Sequence, residues 1–385
     1  MSLTPNRIAR RLRRRLFLLF LPINVGIIFV ILFNALPAFA AETPGNGVDS
    51  TSAADDKPQR WVIVPVVART PEMGWLGGGL FIHFFPTDRP GQRASSLDLI
   101  SFRTTHDQFL IALAPKIYIR QDRYRIQPSV SWLSWKSQYY GIGSNTPDSA
   151  ELYQTKSARA AVSATRFLDD CCFIRTGATV ERSRNAYDSG GRIDSESIDG
   201  KDGGWLTGAG IGFGRDTRDN ENATRQGALI EYRAEYYHES LASDYRYILQ
   251  TVDARVFFPF RTADTLGIAF RWRYTRGEIP LRELSSPDGS EILRCIENGR
   301  YLDKDLYALQ AEYRFPIWKR IGGTAFLETA QVSSVFPRLE KSGFIVSAGI
   351  GLRYALNVKE RVNLRADFAW VDQGFGFVIN IREAF

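Results

Sequence analysis

The chain has 385 residues, of which 44% are hydrophobic, 13% aromatic and 24% charged. That composition excludes a disordered chain and is ample for one large folded body. The formal charge of +7 is unevenly placed: residues 1–40 hold six arginines (Arg7, Arg10, Arg11, Arg13, Arg14 and Arg15) and no acid, so the remainder is close to neutral. The basic balance therefore belongs to the N-terminus and implies no nucleic-acid partner.

In chain order, the first element is a basic segment followed by an apolar stretch from Leu16 to Leu36 and then "AFAA", with Ala38 and Ala40 at the small-residue positions of a cleavage site. This reads as a signal peptide over 1–40. An uncleaved anchor is the competing reading, but Pro22, Asn24, Asn34 and Pro37 interrupt the apolar run. Residues 41–60 are polar, rich in turn formers and predicted to be a flexible linker.

From Trp61 onward the pattern has period two, in runs separated by turn residues. Strands are predicted at 61–70, 74–85, 95–104, 108–119, 124–138, 153–167, 172–184, 205–216, 226–238, 245–258, 264–276, 305–315, 322–333, 343–356, 359–370 and 374–385. In "RVNLRADFAW", Val362, Leu364, Ala366, Phe368 and Trp370 share one face, and Arg361, Asn363, Arg365 and Asp367 share the other.

Alternation alone does not say which face is inside. Three features favour a membrane barrel over a soluble sandwich. The polar faces carry charges of both signs, as a wet lumen would. The apolar faces carry aromatics near strand ends, as interfacial girdles do. The runs are ~10–14 residues, enough for a tilted strand to cross a bilayer. The expected fold class is thus all-β: a sixteen-stranded antiparallel transmembrane β-barrel over 61–385. If the first strand starts on the periplasmic side, the long connections 139–152, 185–204 and 277–304 all fall outside. Phe375, Phe377, Ile379, Ile381 and Phe385 are predicted to face lipid on the last strand, with Glu383 at the interface. That strand is expected to pair with the first to close the barrel.

The run "GAGIGFGRDTRDN" (208–220), followed by "QGALIEYRAEYY", resembles the BamA/TamA-type family of outer-membrane barrels, the bacterial surface antigen family, which shows Asp-Thr-Arg-Asp-Asn at a strand end. The matching positions are Asp216, Thr217, Arg218 and Asp219. "LRCIENGRYLDKDLYALQAEYRFPI" (293–317) resembles the family's sixth outer loop, with Gly299, Arg300, Tyr301 and Asp303 in the Gly-Arg-Tyr-x-Asp run. "FLETA" (326–330) resembles the family's Phe-x-Asp-x-Gly run. The resemblance implies that Arg294 folds back into the lumen and meets Glu328, with Glu312 beside it on the polar face. It also implies that Phe377, Ile381 and Phe385 belong to a targeting signal read by the outer-membrane assembly machinery. Departures from the family pattern are Cys295 for glycine, Ile296 for an aromatic, Glu328 for aspartate and Ala330 for glycine. Most family members that insert or export proteins carry POTRA domains before the barrel, and residues 41–60 are too short for one.

Gly208, Gly210, Gly212 and Gly214 alternate on one face of a strand, where a smooth inner wall approached by a loop is expected. His83, His106 and His238 fall on different strands and loops, and no zinc motif or hydrolase elbow is present; neither a metal site nor a cofactor is expected. Cys171 and Cys172 are adjacent in a turn, and no bridge from Cys295 to them is expected. Two functions remain open. One is a non-enzymatic outer-membrane barrel, surrounded by outer-membrane lipid, acting in protein or lipid assembly and translocation or as a pore. The other is a barrel hydrolase of phospholipase or protease type, which a Ser–His or Asp–His pair at one membrane level would favour.

Overall fold

Successive side chains of an extended chain point to opposite faces, and each of the sixteen alternating runs forms a strand. The computed structural model describes residues 60–70, 74–86, 93–261, 263–287, 289–334, 343–372 and 374–385; the predicted signal peptide and all but the last residue of the linker lie outside them. The strands are β1 (Trp61–Thr70), β2 (Gly74–Phe84), β3 (Ser96–Thr104), β4 (Phe109–Ile119), β5 (Tyr124–Tyr139), β6 (Glu151–Phe167), β7 (Cys172–Ala186), β8 (Trp205–Asp216), β9 (Gly227–Tyr237), β10 (Tyr247–Pro259), β11 (Thr265–Gly277), β12 (Asp305–Trp318), β13 (Ile321–Ser333), β14 (Ile345–Asn357), β15 (Val362–Val371) and β16 (Gly374–Ile381). They form one antiparallel sheet in chain order. A single-turn helix, α1 (Arg192–Ser195), and two short 3-10 turns sit in the connections. No helix among the described residues is long and apolar enough to cross a membrane.

Register settles which face is inside. Gly267 pairs with Glu312, Gln310 with Glu328 and Gly351 with Asp367, and this charged face lines the lumen. The opposite face carries Trp132, Phe213, Ile350 and Trp370, between 59% and 69% exposed. A soluble protein would bury such a surface; lipid covers it here. β5, β6 and β7 run to 16, 17 and 15 residues, longer than a crossing requires. Their extra pairs, such as Tyr139 with Glu151, build a tall wall at the rim where the long connections lie. We call that end the loop rim, and the end holding the start of β1 and the end of β16 the terminal rim.

The glycine strip of β8 faces the lumen as predicted, but no loop among the described residues accounts for it. A Cβ on Gly208 would lie 2.4 Å from the Tyr237 ring, and one on Gly210 would lie 2.8 Å from Glu235 Cγ. Side chains of the neighbouring β9 lean across the strip instead, beside a cavity of about 230 Å³ lined by Arg159, Arg175 and Arg233.

Closure differs from the expected strand pairing. Among the described residues β1 and β16 share no ladder. The lumen-side residues Val62 and Val64 of β1 and Ile82 and Phe84 of β2 instead form one apolar cluster with Leu356 and Val362, joined by Tyr354, Leu364 and Ile381. Those last five belong to the outward face of β14–β16. The first hairpin therefore overlaps the outside of the last strands at the terminal rim. Pro65, in mid-β1, lacks a ladder donor, and apolar burial takes over from hydrogen bonding at the seam. Hydrogen exchange in detergent is expected to open β1 and β16 before β12–β14; equal protection of the two regions would contradict an overlapped seam.

The C-terminus also departs from expectation. β16 ends at Ile381 and Arg382 takes a left-handed φ of 70°, which breaks the alternation and turns the chain inward. Phe385 is buried in the lumen with Phe257, Ala269 and Ala384 and does not face lipid. Arg314 donates from Nη2 to the Phe385 carbonyl at 2.8 Å. Glu383 likewise faces inward, accepting from Arg353 Nε at 2.7 Å and Asn363 Nδ2 at 2.8 Å. A lone carboxylate on the outer face would lose its water to lipid with no cation to offset the cost.

Candidate functional site

The lumen is occupied from both ends. From the loop rim, the connection 278–304 descends between the walls, and Leu293, Ile296 and Tyr301 pack on Leu306, Ala308, Ala330, Val332 and Ile345. This burial places Arg294, itself 0% exposed, among the acids that alternation puts on the inner face. Arg294 N–H donates to Glu328 Oε2 and its Nε to Glu328 Oε1, both at 2.7 Å. Nη1 donates to Glu312 Oε2 at 2.5 Å and reaches Asp367 Oδ2 at 3.5 Å. Nη2 also lies 2.7 Å from Glu328 Oε1, too bent for a second hydrogen bond. The guanidinium carbon sits 3.4 Å from the Phe326 ring centroid, and Ser347 Oγ donates to the Arg294 carbonyl at 2.8 Å.

The predicted trio of Arg294, Glu328 and Glu312 is thus brought together. Sequence reasoning missed the rest of the network. Glu312 also accepts from Arg314 Nε at 2.5 Å, and Asp367 accepts from Arg353 at 2.6 Å and Arg365 at 2.8 Å. Alternation had already put Arg365 and Asp367 on the polar face; their being level with Arg294 is set by the stagger between strands. Cys295, at the family's glycine position, has a left-handed φ of 68°. It lies against Gly376, where a Cβ would come within 2.5 Å of Cys295 Cβ.

The Gly299–Asp303 run lies elsewhere, in a lid at the loop rim. Gly299 has a φ of 81°, and a Cβ there would strike the Gln138 carbonyl at 2.2 Å. Arg300 binds Thr146 and, at 3.1 Å, Asp148, and it stacks on Tyr140 and Tyr301. Asp303 bridges to Ser285. Tyr139, Ile193, Ile198, Leu281 and Leu302 join the connections into one apolar cover.

From the terminal rim, the turn 217–226 folds into the lumen, and the Asp216–Asp219 motif builds it. Asp216 holds Arg218 through paired bonds of 2.9 and 2.8 Å. Thr217 Oγ1 accepts from Ala228 N–H at 3.0 Å. Asp219 caps Arg225 N–H at 2.9 Å and binds Arg361 at 2.5 Å. The turn thereby projects Glu221, a residue not singled out from the sequence, into a cage of Arg125 (2.8 Å), Lys116 (3.0 Å), Tyr118 OH (3.0 Å) and Arg93 (3.3 Å). Burial alone would raise the Glu221 carboxyl, but Lys116, Arg125 and Arg93 outweigh it and hold the group well below the usual carboxylate range. The same turn reaches the opposite wall, where Asn222 Nδ2 donates to the Glu360 carbonyl at 2.8 Å.

The remaining predicted residues do not converge. Phe377 lies on the outer face and Ile381 packs in the seam overlap. His83 stacks with Phe81 on the outer face of β2 and meets the Phe85 ring edge-on. One Ser–His contact does occur, His238 Nδ1 to Ser240 Oγ at 3.1 Å. The same Nδ1 accepts the Ser240 N–H at 3.1 Å, which makes His238 the cap of an exposed one-turn 3-10 helix.

The model of the Omp85 superfamily domain matches residues 101–382. No curated protein sequence matches the chain. Among solved structures, BamA from Haemophilus ducreyi lacking POTRA domains 1-3 is similar at a TM-score of 0.53 and 14% identity, covering 84% of this chain and 70% of that one. CdiB from Acinetobacter baumannii is similar at a TM-score of 0.52 and 13% identity, covering 83% of this chain and 59% of that one.

Proposed function

The chain belongs to the Omp85 superfamily, and from that membership we propose that it works in the bacterial outer membrane as a gated, non-enzymatic barrel for assembly or translocation of protein or lipid. The observation that carries this reading is the combination of a lumen blocked at both ends with a seam held by apolar overlap rather than by a ladder. A constitutive pore would gain nothing from two plugs. A barrel that admits a client between its first and last strands needs an edge that opens without breaking a row of hydrogen bonds.

Residues 1–40 are removed on export, and 41–60 form a flexible segment ahead of the barrel. Phe377, Ile381 and Phe385 are read by the assembly machinery on the unfolded chain, before Phe385 turns inward, so the final position of that residue does not conflict with a targeting role. The hydrolase reading loses support because the His238–Ser240 contact found among the described residues is spent on capping a turn.

The test is insertion of an unfolded outer-membrane barrel into vesicles containing the purified chain, followed by heat-modifiable migration. Insertion faster than into protein-free vesicles is expected. Unchanged insertion together with a steady ohmic conductance would replace this reading with a simple pore.

A further inference from the structure

The turn between β6 and β7 at the terminal rim carries Asp169, Asp170, Cys171 and Cys172. Asp169 Oδ1 accepts the N–H of Cys171 at 2.8 Å and of Cys172 at 2.6 Å. One exposed carboxylate thus folds the turn and brings both thiols to its own side. The two Sγ atoms are 3.8 Å apart, and both cysteines are free and half-buried. One ligand atom from each of the three residues lies within 4.8 Å of the others.

The sulfur spacing has a specific chemical meaning. With metal–sulfur bonds of about 2.3 Å, a tetrahedral angle at the metal sets two thiolates about 3.8 Å apart. Two thiolates select a thiophilic ion over calcium or magnesium, which prefer all-oxygen shells. We propose that Asp169, Cys171 and Cys172 form a site for one thiophilic divalent cation of the Zn²⁺ class, with water completing the shell. On binding, the two S–H protons pass to solvent, two metal–sulfur bonds form and the carboxylate adds a metal–oxygen bond. No electrons are transferred.

The site sits where such an ion would matter. The Cys171 carbonyl accepts the Asp216 N–H at 2.8 Å, and Asp216 begins the motif that launches the plugging turn. Phe167 and Phe173, which flank the cysteines, pack together with Leu229 of β9. A bound ion would stiffen the β6–β7 turn on which the ends of β8 and β9 rest.

The experiment uses the full mature chain in detergent, reduced and then freed of reductant, and titrated with Cd²⁺ as the probe. The readout is the thiolate-to-cadmium charge-transfer band. One Cd²⁺ per chain, with the intensity of two thiolates, is expected. Cys295→Ser should leave the band intact, and Cys171→Ser should halve its intensity or abolish it. Asp169→Asn should weaken binding by about ten-fold or more. Heat-modifiable migration of each variant verifies that the barrel is folded, and Zn²⁺ should displace the band competitively. The proposal is overturned by a band that survives Cys171→Ser unchanged, by its absence in the reduced wild type, or by an intact mass showing Cys171 and Cys172 already joined to each other in the protein as isolated from membranes.

Discussion

Arg294→Ala is expected to be the most damaging single change in the lumen. It leaves the acids facing one another, but not equally. Glu312 keeps Arg314 and Arg353, and Asp367 keeps Arg353 and Arg365. Glu328 keeps Gln310, at 2.9 Å, and the backbone N–H of residue 294, but no cation. The loss of one partner from a shielded charge pair costs about 3–5 kcal/mol, and nearly all of it falls on Glu328. Glu328→Ala should cost less, because Arg294 retains Glu312 and Asp367. In the Arg294→Ala background, Glu328→Ala should add almost nothing, since it removes the stranded carboxylate. Trypsin sensitivity of the 278–304 connection and the temperature at which heat-modifiable migration is lost are the measurements. Additive effects of the two changes would mean that the residues do not act as one lock.

Glu221→Gln is expected to unlatch the terminal rim. The side chain is 20% exposed, so its ion pairs are worth less than a dry one, about 1–3 kcal/mol in total. That corresponds to a roughly 5–150-fold shift toward the open turn. Planar-bilayer recordings should show more frequent openings than in the wild type, and Arg125→Gln should reproduce them. Unchanged recordings from both variants would remove the latch. The pH dependence follows from the depressed carboxyl. Its contribution is fully present above the unfolded glutamate value of about 4.3 and is lost only as pH falls from there through the lower folded value. The wild-type barrel should therefore stay latched throughout the neutral range and release in strong acid, whereas the Glu221→Gln barrel should lack that acid transition.

Much of the site was legible because it follows from local pattern. Asp216–Asp219 and the Arg294 segment were legible through their resemblance to family motifs, and alternation places Glu312 and Glu328 on the inner faces of their strands whatever the rest of the chain does. Glu221 was not legible. It sits in a turn with no period, and its partners Arg93, Lys116 and Arg125 lie 96 to 128 residues away. The Asp169–Cys172 cluster was visible only as adjacent cysteines, since the 3.8 Å sulfur spacing comes from the fold of the turn.

By itself, the sequence determined sixteen strands and which side chains of a strand share a face, because a period of two is a property of one extended segment and needs no partner to be read. The tertiary structure alone decided how the ends meet. Whether β1 pairs with β16 or overlaps it depends on apolar residues of five different strands finding one another. Whether Phe385 faces lipid or lumen depends on one left-handed residue, Arg382, and on Arg314 waiting inside. These are contacts between distant segments, set by stagger and packing rather than by local pattern, and no stretch of the chain encodes them alone.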